Sequence, residues 1–223
     1  PDSTYSMKLD VRRSKDFRLD AGGLLCSRAV NTGFFQLNYL RLGKLASDLL
    51  LNSYFGKFYG SGKVALDVHL PSYYPVSFSA YAVLNRWDYF RSFATFFEDV
   101  KPSFLVQYET YYGGQVKLPI FNNSKSSFAF RHAELEDSYY QTTEFTNKDT
   151  TDYTRFKANV VSWSIEQNSL NRKQFASGGS LFMLRVRMVD GFEHSVSGST
   201  SPEPYDVRKH HRWINFTGEF RSF

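Results

Sequence analysis

The sequence predicts an all-β protein, an antiparallel transmembrane β-barrel, on three observations. Apolar and polar residues alternate along most of the chain, the alternating segments are long, and aromatic residues make up 18% of the 223 residues, with 22 Phe and 15 Tyr. A membrane barrel alternates lipid-facing with lumen-facing residues and places aromatics at both interfaces. Because the two faces cancel, the mean hydropathy of −0.42 does not argue against a membrane protein.

The alternation is clearest in segments 63–70, 180–190 and 212–217, where an apolar row opposes charged or polar side chains. We expect the apolar row to meet lipid, and assign to it Val64, Leu66, Val68, Phe182, Leu184, Val186, Ile214 and Phe216. We expect the charged row to face or rim a wet lumen, and assign to it Lys63, Asp67, Arg86, Glu109, Arg131, Arg185 and Arg187. A soluble sandwich would bury the same apolar row in its core, so one strand alone does not separate the two folds.

The length of the predicted strands favours a membrane barrel over a soluble β-protein. The segments predicted as strands are Tyr5–Arg12, Phe17–Arg28, Gly33–Leu42, Asp48–Tyr59, Lys63–Pro71, Val76–Tyr89, Phe104–Leu118, Ser126–Ser138, Asp152–Gln167, Ser180–Asp190 and Arg212–Phe223. Strands of soluble proteins cluster near ~5–6 residues, whereas a tilted strand needs ~9–11 residues to cross the hydrocarbon. We predict short turns at Gly60–Gly62 and Asn122–Lys125, and surface loops at Gln141–Thr151 and Ser195–Lys209.

The strand count indicates an incomplete barrel. Eleven strands are predicted, whereas closed bacterial barrels usually have an even number. The apolar row Ile214, Phe216 and Phe220 does not reach Phe223 in register, and an open sheet edge cannot face lipid unsatisfied. We therefore expect residues 1–223 to form a single outer-membrane barrel segment, part of a larger barrel of about 16 strands, a size within the bacterial range.

Three parts of the chain carry a family resemblance: Asn85–Phe90 with Phe96–Ser103, Asn168–Phe175 leading through Gly178-Gly179, and Asp20–Gly23 with Ser27-Arg28. They resemble the barrel region of patatin-like outer-membrane proteins, which belongs to the bacterial surface-antigen superfamily together with the outer-membrane insertase. The resemblance implies a barrel in the outer membrane of a Gram-negative bacterium that anchors or translocates a fused lipid acyl hydrolase. It also implies lipid and lipopolysaccharide as partners, with hydrolase and periplasmic linker domains before Pro1.

The chain departs from the family pattern at several points. Ala176 stands where the family more often has proline, and the Gly-x-Ser-x-Gly elbow of the hydrolase is absent. The superfamily loop motif Val-Arg-Gly-Phe/Tyr is unmatched, because Val189–Phe192 has Asp in place of Arg. We predict a hairpin bend at Val189–Phe192. We expect no catalytic activity in this segment itself.

No group of residues predicts a cofactor or metal site. The single cysteine, Cys26, excludes an internal disulfide and a cysteine-rich zinc site. His210 and His211 are adjacent, so on a strand they point to opposite faces, and we interpret the acids of Glu134–Asp137 as a solvated rim. The net charge of +5 is dispersed along the chain, which a lumen or lipopolysaccharide phosphates explain as well as nucleic acid does. We expect no nucleic-acid partner.

The aromatic clusters leave alternatives open. We interpret Tyr73-Tyr74, Trp87, Tyr89-Phe90, Phe96-Phe97, Tyr111-Tyr112 and Tyr139-Tyr140 as an interfacial girdle near strand ends. A platform that stacks glycans or single-stranded nucleic acid is the alternative. For the whole chain, the alternatives to a hydrolase anchor are a porin or uptake channel and a soluble β-rich glycan-binding protein.

Overall fold

The described residues form one antiparallel sheet. The computed structural model describes residues 16–25, 32–89, 104–121, 123–142, 144–172 and 174–222. Each strand pairs only with its neighbours in the chain, so the order across the sheet follows the sequence. The ten strands are β1 (Phe17–Leu24), β2 (Thr32–Arg41), β3 (Ala46–Gly56), β4 (Tyr59–Leu70), β5 (Val76–Tyr89), β6 (Leu105–Phe121), β7 (Ser124–Tyr139), β8 (Asp152–Asn168), β9 (Ser180–Val196) and β10 (Asp206–Ser222).

The all-β antiparallel prediction is confirmed. Ten of the predicted strands match the observed ones, while Tyr5–Arg12 lies outside the described residues. Within the described residues no second layer covers the sheet, and β1 and β10 are not paired with each other. No helix in the described part of the chain is long and apolar enough to cross a membrane.

Two predicted turns are wrong. Gly60–Gly62 belongs to β4, where Gly60 pairs with Arg86, and the chain turns instead at 57–58. The predicted bend at Val189–Phe192 lies inside β9, which pairs with β8 and β10 on both sides there. Gly191 has a packing role: a Cβ there would lie 2.7 Å from Phe156 Cζ and 2.8 Å from Ala158 Cβ.

The other predicted connections are confirmed or shortened. The segment 140–151 joins β7 to β8, as predicted. β6 ends at Phe121 and β7 begins at Ser124, so their connection is short, also as predicted. The predicted loop Ser195–Lys209 is shorter than expected, because β9 continues to Val196 and β10 begins at Asp206. In the β8–β9 connection Gly179 has a φ of 100°, a left-handed conformation that glycine adopts without strain.

Consecutive antiparallel pairing places the connections alternately at the two ends of the sheet. We call the end with 42–45, 71–75, 122–123 and 169–179 the turn end, and the end with 57–58, 140–151 and 197–205 the loop end. Strand length rises along the chain, from 8–12 residues in β1 to β4 to 14–17 residues in β5 to β10.

Candidate functional site: the two faces of the sheet

The strand register divides the sheet into two faces. Directly paired residues of an antiparallel sheet share a face, and neighbours along a strand alternate. We call the face that holds Val64 the apolar face; it follows the pairs Val64–Ala82–Tyr112–His132–Asn159–Asp190–Arg212 from β4 to β10. We call the opposite one the polar face; it follows Lys63–Val83–Tyr111–Ala133–Ala158–Gly191–His211.

The register brings all eight residues of the predicted lipid-facing row onto one face. Phe182, Leu184 and Val186 lie at even spacings from Asp190 on β9, and Ile214 and Phe216 do so from Arg212 on β10. They therefore share the apolar face with Val64, Leu66 and Val68. The environment of this face stays a prediction.

Six of the seven predicted lumen residues share the polar face: Lys63, Asp67, Glu109, Arg131, Arg185 and Arg187. Arg86 does not share it, because it continues the apolar row Phe78, Ala80, Ala82 and Leu84 of β5. Its guanidinium pairs with Asp88 at 3.0 Å and lies 5.4 Å from the ring centre of Tyr108. Placing Arg86 beside Lys63 and Asp67 is therefore wrong.

The two faces differ sharply in what they expose. Large exposed apolar side chains of the strands are concentrated on the apolar face and include Leu66, Phe78, Phe128, Phe130, Val161, Phe182, Met188, Ile214, Phe216 and Phe220. Phe216 is 71% exposed. The buried Val83, Ala158, Val189 and Asp152 all lie on the polar face. The polar face is thus the more enclosed side, and the apolar face is open.

Cross-strand hydrogen bonds connect the polar face. The Ser61 hydroxyl donates to Asn85 Oδ1 at 2.9 Å, and Asn85 Nδ2 donates to Glu109 Oε2 at 3.3 Å. The Ser79 hydroxyl donates to the Asp67 carboxylate. Such ladders satisfy polar groups between strands and account for two of the predicted lumen residues, Asp67 and Glu109.

On the loop-end half of the apolar face, charged side chains replace apolar ones. We call this set the charged collar; it comprises Arg86, Asp88, Glu134, Glu136, Arg155, Lys157, Asp190, His194, Asp206, Arg208, His210 and Arg212. Arg155 pairs with Glu134 and, at 3.0 Å, with Glu136. Asp190 contacts Arg212 Nε at 3.1 Å and His210 Nε2 at 2.6 Å.

Sequence reasoning missed these pairs. His194 Nε2 lies 2.8 Å from Asp206 Oδ1, and His211 Nε2 lies 2.9 Å from Glu193 Oε2 on the polar face. Each pair links β9 to β10 across the hairpin, so only the register reveals it. Glu134 and Glu136, interpreted as a solvated rim, are ion-paired members of the collar.

No protein-family model, curated protein or solved structure matches the chain. Among the described residues, no group of three His, Cys, Asp or Glu side chains could hold a metal ion. His210 and His211 contact different acids on opposite faces, as their adjacency predicts.

The connections at the loop end are packed into what we call the loop cap, residues 140–142, 144–151 and 197–205. Asp152 is fully buried beneath it and accepts hydrogen bonds from Gln141, from Gly198 N at 2.8 Å and from the Tyr205 hydroxyl at 2.8 Å. Hydrogen bonds with Tyr139 and then Asp152 raise the pKa of Tyr205. The rings of Tyr140 and Phe145 stack with centres 4.2 Å apart.

The aromatic clusters are not all at strand ends. Tyr73 and Tyr74 lie in the turn-end connection 71–75, and Trp87 contacts the Tyr59 ring at 5.4 Å near the loop end. Tyr111 and Tyr112 lie in the middle of β6 on opposite faces, so their prediction as strand-end residues is wrong. Phe90 and Phe96-Phe97 lie outside the described residues.

Proposed function

We propose that this chain forms part of the wall of a transmembrane β-barrel in the outer membrane of a Gram-negative bacterium. The apolar face would meet lipid and the polar face would line the lumen. An uncovered apolar surface that spans a whole sheet is rare on soluble monomers and marks contact with a membrane or a partner. Strands of 10 to 17 residues in β2 to β10 are also long enough for a tilted crossing, which needs ~9–11 residues.

The observation that carries the proposal is the common length of the uncharged row on the apolar face of β5, β7, β9 and β10, counted along each strand from the turn end. On β6 the same face has no charged residue. The first charged residue on that face is Arg86 in β5, ten positions after Val76, and Glu134 in β7, ten positions after Ser124. On β9 and β10 the corresponding residues follow the same spacing from the turn end: Asp190 lies ten positions after Ser180, and Arg212 ten before Ser222.

This spacing is the one that a bilayer would select. A charged side chain is expensive at the midplane and tolerated at the interface, and each row stays free of charge for about the ~9–11 residues of a crossing. A protein partner gives no reason for this common row length. The hydrocarbon thickness sets one length for every strand that crosses it.

Site-directed spin labels test the proposal. The full-length protein, with Cys26 replaced by Ala, is reconstituted in vesicles with single labels at Phe216 or Leu184 of the apolar face, or at Arg185 or Lys63 of the polar face. We expect oxygen to relax the first pair and a water-soluble nickel chelate the second. A chelate that reaches all four labels equally would contradict the proposal.

The anchoring role rests on the family resemblance. We propose that the barrel anchors or translocates a fused lipid acyl hydrolase, because Asn168–Phe175 with Gly178-Gly179, which resembles the family hairpin, forms the β8–β9 hairpin connection. The sequence preceding Pro1 in the full-length protein is the test: it should contain the Gly-x-Ser-x-Gly elbow of such a hydrolase. A preceding segment without that elbow would remove the hydrolase and leave the barrel proposal standing.

A porin or uptake channel is the second candidate, favoured by the hydrogen-bonding character of the polar face. Planar-bilayer recordings on the full-length protein separate the two. A substrate-conducting barrel should give stable ionic current, whereas an anchoring barrel whose lumen is filled by its own chain should pass little.

A further inference from the structure

We propose that Arg131, Arg185 and Arg187 form an oxyanion site on the polar face that takes a phosphate or sulfate group. The site needs only that solvent reach the polar face, so its failure would leave the membrane proposal intact. It would also hold in either an anchoring barrel or a channel.

The register places the three guanidinium groups in one neighbourhood. Arg185 and Arg187 are two residues apart on β9 and therefore point to the same side. Arg131 lies on β7 with only β8 between, since Arg131 pairs with Val160 and Val160 with Val189. Two strand spacings amount to about 10 Å, and Arg187 and Arg185 lie two and four residues from Val189, which adds about 7 and 13 Å along β9. Arg131 and Arg187 can therefore reach one anion, and Arg185 extends the site along β9.

The directly paired neighbours supply hydroxyl and amide groups. The nearest acids on this face, Glu166 and Glu219, lie diagonal to Arg185 and form ion pairs with Lys125 and Arg221. Arg185 is flanked by Ser164 on β8 and Thr217 on β10, while Arg187 is flanked by Ser162 and Asn215. Directly paired side chains are the closest cross-strand neighbours in a sheet. The directly paired side chains can therefore donate hydrogen bonds to an anion, and the two nearest acids already have cationic partners.

The guanidinium groups have unmet hydrogen bonds. Nε of Arg131 and Nε of Arg187 are shielded from solvent and have no hydrogen-bond partner. Within the described part of the chain none of the three forms an ion pair with a carboxylate; Arg131 lies over the Tyr111 ring at 5.5 Å, and Arg185 contacts only the sulfur of Met183, at 3.9 Å. A buried donor without a partner is costly, more so when it is charged.

Most other arginines of the sheet are different. Arg86, Arg155 and Arg212 of the charged collar each pair with a carboxylate of the chain, and Arg41 and Arg208, which have no ion pair, are exposed to water. Among the described arginines, only Arg131 and Arg187 have a guanidinium nitrogen that is both shielded from solvent and without a hydrogen-bond partner. The missing partner is an anion that the described residues do not supply.

The chemistry of the donors favours a tetrahedral oxyanion. A guanidinium fork matches the oxygens of phosphate with two parallel hydrogen bonds. A carboxylate has two oxygens, whereas phosphate and sulfate have four and can engage several guanidinium groups and a serine hydroxyl together. The shared chemistry includes a free inorganic anion and a phosphate group on a small molecule.

Calorimetric titration of the full-length protein in detergent, at constant ionic strength, tests the site. The probes are inorganic phosphate, sulfate, glucose 6-phosphate and, as a control, chloride. We expect saturable binding of the oxyanions and none of chloride. Tighter binding of glucose 6-phosphate would assign the site to phosphorylated small molecules, and equal or weaker binding to free anions; both support the site.

Variants decide whether these arginines are responsible. Arg187→Gln and Arg185→Gln should each weaken phosphate binding by about tenfold or more, as expected for loss of a charge-assisted hydrogen bond. Lys63→Gln, an exposed cation on the same face at β4, should bind as the parent does. Arg187→Lys keeps the positive charge and loses the two parallel N–H donors of the guanidinium group, so it should bind phosphate with intermediate affinity. If Arg187→Gln does not fold, Arg187→Lys replaces it as the test.

Three outcomes would overturn the proposal: no saturable heat with any oxyanion, binding that survives in both glutamine variants, or an equal loss in Lys63→Gln. Circular dichroism of each variant establishes that the strands are intact before its titration is interpreted.

Discussion

Two regions of the sheet differ in the number of charged residues on the apolar face. In β2 to β4, strands of 10 to 12 residues, the apolar face has one charged residue, Arg41 at the turn end, and is uncharged from there to the loop end, where Phe55 pairs with Gly33. In β7 to β10, strands of 16 or 17 residues, the apolar half is followed by the charged collar. The charged residues of these longer strands lie in their loop-end part.

The comparison shows that the side chains on one face can change from apolar to charged along the length of a strand. Side-chain character therefore depends on position along the strand as well as on the face. Period-two alternation gives the face of a residue, while distance from the turn end gives its height. Leu184 and Phe192 share a strand and a face, yet they belong to different halves. Four predictions test this division, and they follow in order of decreasing effect.

The largest effect is expected from a charge in the apolar half. Leu184→Arg should reduce the free energy of folding into vesicles by about 2–4 kcal/mol, because lipid-facing arginine is costly near the midplane. Phe192→Arg, on the same face within the collar, should cost about 0–1 kcal/mol. Urea titrations of vesicle-inserted protein measure both. Equal losses in the two variants would show that height does not matter.

The second effect concerns the loop cap, which only the long strands carry. Asp152→Ala removes the acceptor of three hydrogen bonds and leaves their donors inside the cap, at an expected cost of about 2–3 kcal/mol. Limited proteolysis should then cut segments 140–151 and 197–205 in intact protein. Asp206→Asn, in an exposed pair with His194, is the control and should leave cleavage unchanged. A cap that resists protease in Asp152→Ala would contradict this role.

The third effect tests packing on the polar face of the long strands. Gly191→Ala would bring a Cβ to 2.8 Å from Lys157 O, a backbone atom that cannot swing away, so we expect a loss of about 1–2 kcal/mol. Gly218→Ala on the neighbouring strand meets nothing within 4 Å. Its unfolding free energy should be unchanged or slightly higher. Equal unfolding free energies for the two variants would show that close packing at Gly191 does not stabilise the fold.

The smallest effect is a pH dependence of the cap. Hydrogen bonds from the backbone and then the hydroxyl of Thr146 hold the pKa of Asp149 below its usual 3.8. A depressed pKa contributes stability that is present above the unfolded pKa and lost as pH falls through the folded one. The protection factor of the Thr146 amide, its intrinsic exchange rate divided by the observed rate at the same pH, should therefore fall below about pH 4. Asp149→Asn should remove that fall, and a protection factor with the same pH profile in the variant would contradict the assignment.

The sequence was sufficient for the strands and for most side-chain directions. Alternation assigns Val64 and Leu184 to one face and Lys63 and Arg187 to the other, because a strand reverses its side chains at every residue. The error at Arg86 came from its charge: its place in the row after Leu84 already gave the correct face. Charge alone does not assign a residue to a face, because the charged collar lies on the apolar face.

Features that depend on register could not be predicted. Gly60 and Gly191 were interpreted as turns because glycine is common there, whereas Gly191 makes room for a ring on the next strand. The contacts of Asp152 with Gly198 and Tyr205 join positions about fifty residues apart. Such contacts exist only once β8, β9 and β10 are aligned.

Every pairing in this sheet joins strands that follow one another in the chain. Contacts between sequence neighbours keep contact order low and require only short loops to close. The ten described strands can therefore assemble in chain order, each new hairpin docking on the edge left by the last.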